Sequence, residues 1–201
     1  MFDAALRKRL LSAAAQTIVA HTDELTALDS AIGDGDHGFN MKRGFEAVQG
    51  SADAFAAMSA PEMLKAAGMK LVTTVGGASG PLYGTLLMSL GKALPEAPTR
   101  AEAVEAFAKA IEAVKARGKS DVGQKTLLDV LAPTLAALQA GADSAAVAQT
   151  ARQAAEATAP LRAIRGRASF LGERSIGHVD PGARSACLLI AALCEVWSEY
   201  A

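Results

Sequence analysis

Aromatic side chains are scarce in this chain: one Trp, two Tyr and six Phe among 201 residues. Strands favour aromatic and β-branched residues, so this shortage, beside abundant alanine, argues against a sheet and for closely packed helices. An excess of one charge is lacking too. Twenty Lys and Arg against 21 Asp and Glu give a formal net charge of −1, which removes the bulk electrostatic case for nucleic acid or an acidic membrane surface. Cysteine is limited to Cys187 and Cys194. Their separation on one helix, about two turns or ~10 Å, exceeds disulfide reach and fits buried thiols in a reducing compartment. No apolar run is long enough to span a bilayer. Residues 10–20 follow Arg7-Lys8-Arg9 like a signal-peptide core, but Ser12, Gln16 and Thr17 interrupt them. Phe2, Leu6, Leu10 and Ala14 repeat instead at the spacing of an amphipathic first helix. The expectation is a cytoplasmic protein with neither a nucleic-acid nor a membrane partner.

What is present is helical periodicity from end to end. Leu64, Ala67, Leu71 and Val75 make one stripe, stopped by Gly76-Gly77, and Pro81 opens a helix through Leu86, Leu87 and Leu90. Val104, Phe107, Ile111 and Val114 form another, ending at Gly118. Leu127, Leu131, Leu135 and Leu138 follow, with Pro133 a kink site. Residues 146–158 form an alanine-dominated helix, and a last helix starts at Asp180-Pro181 and buries Cys187, Ile190, Cys194 and Trp197. With one helix beginning near Met41, the pattern predicts about eight helices in an all-α bundle, a single domain over residues 1–201.

Chemistry concentrates in four glycine-bearing junctions, at 29–40, 76–81, 117–125 and 166–182. In an up-and-down bundle, loops separated by an even number of helices gather at one end. The first junction carries the sharpest signal: Asp29-Ser-Ala-Ile-Gly-Asp34-Gly-Asp36-His-Gly. Carboxylates this crowded repel unless a cation neutralises them, and hard oxygen ligands suit Mg²⁺ or Ca²⁺. The bland alternative is a polar turn in which Asp36 or Asn40 caps the next helix. An EF-hand is excluded, because counting from Asp34 puts Phe39 where Gly belongs and Phe45 where Glu belongs.

Gly76-Gly-Ala-Ser-Gly80-Pro81 is either a flexible turn or a set of backbone N–H groups for phosphate, with Ser79 adding a hydroxyl. Gly118-Lys119-Ser120 is not a Walker A motif: residue 113 is Ala, and the preceding segment is helical. Arg162, Arg165, Arg167, Arg174 and Arg184 crowd the late segment, which reads as a solvated basic face or as an anion site. With Arg167, Arg174, His178 and Asp180 alternating with glycines there, a planar or anionic ligand is the functional reading. Zinc is a poor match, for want of a close Cys/His set.

Taken in order, these segments resemble the L subunits of dihydroxyacetone kinases. The matching strings are Leu28-Asp-Ser-Ala-Ile-Gly-Asp-Gly-Asp-His-Gly-Phe-Asn40, Val75-Gly-Gly-Ala-Ser-Gly-Pro-Leu-Tyr-Gly84, Arg117-Gly-Lys119 with Lys125-Thr126, and residues 166–182. The resemblance implies an eight-helix antiparallel up-and-down barrel with a nucleotide site at one end. It makes Asp29, Asp34 and Asp36 the ligands of two Mg²⁺ ions on the phosphates of ADP or ATP. His37, Gly38, Phe39, Asn40, Ala78, Ser79, Gly118, Leu127, Arg167, Asp180, Pro181 and Gly182 would contact the nucleotide, and Arg167 or Arg174 would add guanidinium donors to catalysis. Two positions depart from the family pattern: Gln124 stands where an acid is expected before Lys-Thr, and Leu127 where methionine is common.

The implied activity is phosphoryl transfer, in which positioning and charge neutralisation do most of the work. Dihydroxyacetone would sit on a separate K subunit, and resident ADP would be rephosphorylated by a phosphohistidine protein of the phosphoenolpyruvate phosphotransferase system. A free-standing chain is also compatible with exchangeable ATP, a related ketose and homodimerisation. The rivals are a non-catalytic, nucleotide-sensing helical regulator and a metal-dependent hydrolase.

Overall fold

The computed structural model describes residues 2–200. Among them the chain is all-helical, as the composition predicts: α1 (Ala4–Ala20), α2 (Thr22–Ile32), α3 (His37–Gln49), α4 (Ala52–Ala56), α5 (Ala60–Thr74), α6 (Ser79–Ala93), α7 (Arg100–Gly118), α8 (Leu128–Gln139), α9 (Ser144–Glu156) and α10 (Pro181–Ser198), with a 3₁₀ segment at Arg167–Ser175. No helix among the described residues is long and apolar enough to cross a membrane. Cys187 and Cys194 are both free.

Eight of the helices close a ring. α1 packs on α3, α3 on α5, and then each on its successor through α10, which returns to α1. The helices missing from the sequence pattern are α2 and α4. Only His21 (φ −105°, ψ 17°) separates α1 from α2, so no Gly or Pro marks the break. α4 is a single short turn between α3 and α5. α8 continues through Pro133.

A single cluster fills the ring, with Ile18, Leu25, Met41, Leu71, Ile111, Leu128 and Val130 at its centre, all fully buried. The polar chemistry is therefore confined to the ends, and the two ends differ. At one end α1, α5, α7 and α9 begin, each at a polar N-cap: Asp3, Ser59, Thr99 and Asp143. Asp3 and Asp143 accept helix N–H groups directly, whereas Ser59 and Thr99 sit in capping boxes closed by Glu62 and Glu102. At the other end α3, α6, α8 and α10 begin, and of their N-cap residues only Asp180 accepts a helix N–H with its side chain. The first N–H groups of α3 and α8 are taken instead by Asp29 and Thr126, and α6 is the helix whose first backbone donors meet no side-chain cap.

α5 and α6 approach closely because glycines face each other across them. A Cβ on Gly84 would stand 2.3 Å from Val72 Cγ2 and 2.8 Å from the Gly68 carbonyl oxygen. In an open helix, Gly84→Ala would stabilise by about 1 kcal/mol. Here the sign reverses: urea unfolding of Gly84→Ala will show a loss of about 1–3 kcal/mol, the usual cost of overpacking.

Candidate functional site

The acidic cluster forms where α2 hands over to α3. Asp29, in the last turn of α2, is buried, and its Oδ2 accepts the backbone N–H groups of Asp36 (2.8 Å) and His37 (3.0 Å). Those bonds fold residues 33–36 back on α2, so that one carboxylate oxygen from each of Asp29, Asp34 and Asp36 lies within 4.8 Å of the others. Gly33 permits the fold, since a Cβ there would sit 2.1 Å from Asp29 Oδ1. Asp36 occupies the N-cap position of α3, yet its side chain makes no capping bond. The simple helix-cap reading of this residue therefore fails. Arg167 reaches the cluster from the 3₁₀ segment, its Nη2 3.0 Å from Asp34 Oδ2. A set of oxygen donors this close fits a hard divalent cation such as Mg²⁺.

The cluster opens onto a cleft at this end of the barrel. His37, Asn40, Ala78, Ser79, Leu127, Arg167, Asp180, Pro181 and Gly182 line it beside the three aspartates. Gly38, Phe39 and Gly118 do not. Gly38 is pressed against α2, where a Cβ would meet the Thr22 carbonyl oxygen at 2.1 Å. Phe39 is 60% exposed, and a Cβ on Gly118 would stand 3.3 Å from Leu82, which itself lines the cleft. Arg174 and His178 also lie outside the lining, whereas Arg165 is in it. Ile32, Leu82, Tyr83, Lys125 and Thr126 complete the walls without having been singled out for a role. Tyr83 offered one signal, the single phenol of its helix; Ile32 and Leu82 are indistinguishable from core residues by type.

Behind the cleft runs a buried hydrogen-bond chain. His37 Nδ1 lies 3.0 Å from Ser79 Oγ and its Nε2 3.0 Å from Ser185 Oγ, which in turn lies 2.7 Å from Tyr83 OH. Burial drives the His37 pKa down, against the pull of Asp29 and Asp36, so the ring is neutral. Burial raises the Tyr83 pKa. Both ring nitrogens of His37 are thus committed to hydroxyl groups, which fixes the ring against α6 and α10.

The loop between α7 and α8 forms another wall. Asp129 organises it, accepting the N–H groups of Gly123 (2.5 Å) and Thr126 (2.7 Å). Gln124 Oε1 accepts from the Asp121 N–H at 3.1 Å and from Arg165 Nε at 3.4 Å. Its amide oxygen thereby fills an acceptor position that a carboxylate could also fill, and the departure at 124 leaves the loop's polar contacts in place. Asp180 caps α10 through the Ala183 N–H at 2.7 Å. Burial nevertheless pushes its pKa from 3.8 up to about 7, with Asp129 adding to the rise and the Ala183 bond and Lys125 opposing it.

The DAK2 domain matches residues 31–195. The chain is 44% identical over 172 residues to the ADP-binding subunit DhaL of a PEP-dependent dihydroxyacetone kinase from Listeria innocua, covering 85% of each protein. It is 40% identical over 182 residues to the corresponding Escherichia coli subunit, covering 86% of this chain and 87% of that one. The crystal structure of the dihydroxyacetone kinase of C. freundii in complex with AMP-PNP and Mg²⁺ superposes with a TM-score of 0.78 at 25% identity. That match covers 95% of this chain and 34% of the longer kinase. The chain belongs to the DAK2 domain family.

The raised pKa of Asp180 has a consequence for stability. Between about pH 4 and 7 the folded state holds a proton that the unfolded state has released, so stability falls as pH rises through that window. The full difference is at most about 4 kcal/mol, taking about 1.4 kcal/mol per pKa unit. Asp180→Asn keeps an oxygen for the Ala183 N–H and has nothing to ionise. Urea unfolding of the nucleotide-free chain at pH 4.5 and pH 8 will show a smaller loss of stability across the interval in Asp180→Asn than in the parent.

Proposed function

We propose that this chain is the ADP-binding subunit of a phosphoenolpyruvate-dependent dihydroxyacetone kinase, a single nucleotide-binding domain over residues 1–201. In this reading it transfers a phosphoryl group to dihydroxyacetone held on a separate K subunit. Its ADP stays in place and is rephosphorylated by a phosphohistidine protein of the phosphotransferase system. The observation that carries the reading is the convergence of Asp29, Asp34 and Asp36 within 4.8 Å at the mouth of a cleft. The names of the Listeria and Escherichia relatives support it, and so does the nucleotide and Mg²⁺ complex of the C. freundii kinase.

Asp29, Asp34 and Asp36 are the proposed ligands of two Mg²⁺ ions, which when bound would offset the charge of the diphosphate and of the group in transit. Asp29 is held rigidly by two backbone N–H groups, whereas Asp34 and Asp36 are exposed and free to adjust. Arg167 is mostly exposed beside Asp34, so its guanidinium can donate to phosphoryl oxygens as well as to the carboxylate. α6 has Ala78 at its N-cap position and no side-chain cap. Its first N–H groups and the Ser79 hydroxyl are the proposed phosphate donors. Ala78, Leu127, Pro181 and Gly182 supply low, largely apolar walls for the nucleoside, with His37 and Asn40 at its phosphate end. Gly38, Phe39 and Gly118 are proposed to act through backbone position, since their side-chain sites lie off the cleft.

Substitution of Asp34→Asn tests the assignment. Retention of ADP in Mg²⁺, followed by native mass spectrometry, is expected to fall together with ketose phosphorylation in the mixture reconstituted with partner proteins. Removing one metal ligand commonly costs well over tenfold in affinity (outer-shell partners alone cost about 10–100-fold). Retention and activity equal to the parent's would refute the ligand role. Co-purified ADP in the parent supports the resident-cofactor reading, whereas an empty protein that takes up ATP supports an exchanging subunit. Ketose phosphorylation that persists when this chain is omitted would make it a regulator.

A further inference from the structure

Lys125 has no part in the chemistry above, yet its side chain is among the most deeply buried in the protein, 1% exposed. Its partners are carbonyl oxygens rather than carboxylates. Nζ donates to Thr158 at 2.8 Å, Ala159 at 3.2 Å, Leu161 at 3.0 Å and His178 at 2.5 Å. Three protons serve four acceptors that converge on one point, a task for a compact ammonium and not for a planar guanidinium.

The four carbonyls belong to the two ends of one loop. Residues 158–161 follow α9, and residue 178 precedes α10. Two further bonds cross the same neck: the Gly177 N–H to the Ala159 carbonyl at 2.8 Å, and the Asp180 N–H to Thr158 Oγ1 at 3.0 Å. Residues 162–176, between them, form a compact loop whose buried side chains close a small cluster with α2. Ala163 and Ala168 are buried against Ile32 of α2, and Ser175 Oγ accepts the Ala163 N–H at 2.9 Å while donating to the Gly172 carbonyl at 2.6 Å. Ends held together and side chains packed inward are the marks of an Ω-loop. Arg165, Gly166 and Arg167 extend from it into the cleft.

We propose that Lys125 is a positioning residue, a clasp that joins both ends of loop 162–176, holds Arg167 over the carboxylates, and so governs how long a nucleotide stays bound. The residence part rests on the nucleotide reading above; the clasp itself does not. Lys125 is anchored for this purpose in the α7–α8 loop, which also meets the Ω-loop through the Ile164 N–H to the Gln124 carbonyl at 3.3 Å.

The test is Lys125→Met, which keeps an unbranched stem as far as Cε and removes the donors. In the nucleotide-free variant, hydrogen exchange of amides 162–176 is expected to quicken about tenfold or more, the loss of at least one charge-assisted bond, while α5–α7 stay at parental rates. Release of ADP in Mg²⁺ is expected to quicken by a similar factor with association little changed. Parental exchange in the loop, or acceleration spread equally over α5–α7, overturns the clasp. A loosened loop with unaltered ADP release overturns its role in residence. A parent protein that binds no ADP fails the nucleotide reading instead, and the exchange comparison still decides the clasp. Should Lys125→Met not fold, Lys125→Arg keeps the charge but spreads the donors over a plane, and is held to the same loop-specific exchange result.

Discussion

Three carboxylate oxygens within 4.8 Å of one another repel, and the surroundings of Asp29 are arranged to tolerate that repulsion. Two backbone N–H groups close on one Asp29 oxygen, and the missing Cβ of Gly33 leaves room for the other. Arg167 comes across from a different part of the chain to share Asp34. Each compensation fixes a larger piece of structure. The two N–H bonds set the angle at which α3 leaves α2, the Gly33 contact sets the tightness of the turn, and the arginine ties the Ω-loop to the cluster. In the proposed reading, a hard cation would complete the neutralisation that these groups begin.

The fold was legible because its signals are local. Stripes such as Leu64, Ala67, Leu71 and Val75 specify a helix without reference to anything else, and Pro81, Gly118 and Asp180-Pro181 mark where helices stop or start. α2 escaped because a single residue, His21, makes the break from α1. The acidic cluster was legible because three aspartates among glycines have few structural explanations. The cleft walls were less so. Leu82 and Ile32 look like core residues in type and spacing, and only the closure of the ring decides that they line the cleft. Lys125 appeared only within a matching string and was given no role, because its four carbonyl partners lie more than thirty positions away and carry no side-chain signature. The late arginines were read as one group, and the structure divides them: Arg165 and Arg167 line the cleft, and Arg174 does not.

The buried chain through His37 bears on the competing readings. A hydrolase built on the acidic cluster needs a base within reach of a metal-bound water. His37 is the nearest imidazole in sequence, but its nitrogens are both taken, by Ser79 and Ser185, and burial lowers its pKa and so makes it a weaker proton acceptor. Its geometry serves to hold Ser79 at the start of α6, which has no side-chain cap and lines the same cleft as the carboxylates. That favours grip on a polyanion over activation of water. A phosphoryl carrier whose acceptor is supplied by another subunit requires the first and has no use for the second.

The site also depends on parity. Motifs at 29–40, 76–81, 117–125 and 166–182 can meet only if an even number of barrel-length helices separates each pair, and ten helices with two of them irregular could have broken that rule. They do not, because neither irregular helix runs the length of the wall. α4 is a single turn at the opposite end. Both ends of α2 touch the first turn of α3: Thr22 meets Gly38, and Asp29 meets His37. α2 therefore lies across the end of the barrel instead of along its side. That placement brings Asp29, in its last turn, over the mouth of the ring, so the helix that the periodicity concealed is the one that delivers the buried carboxylate.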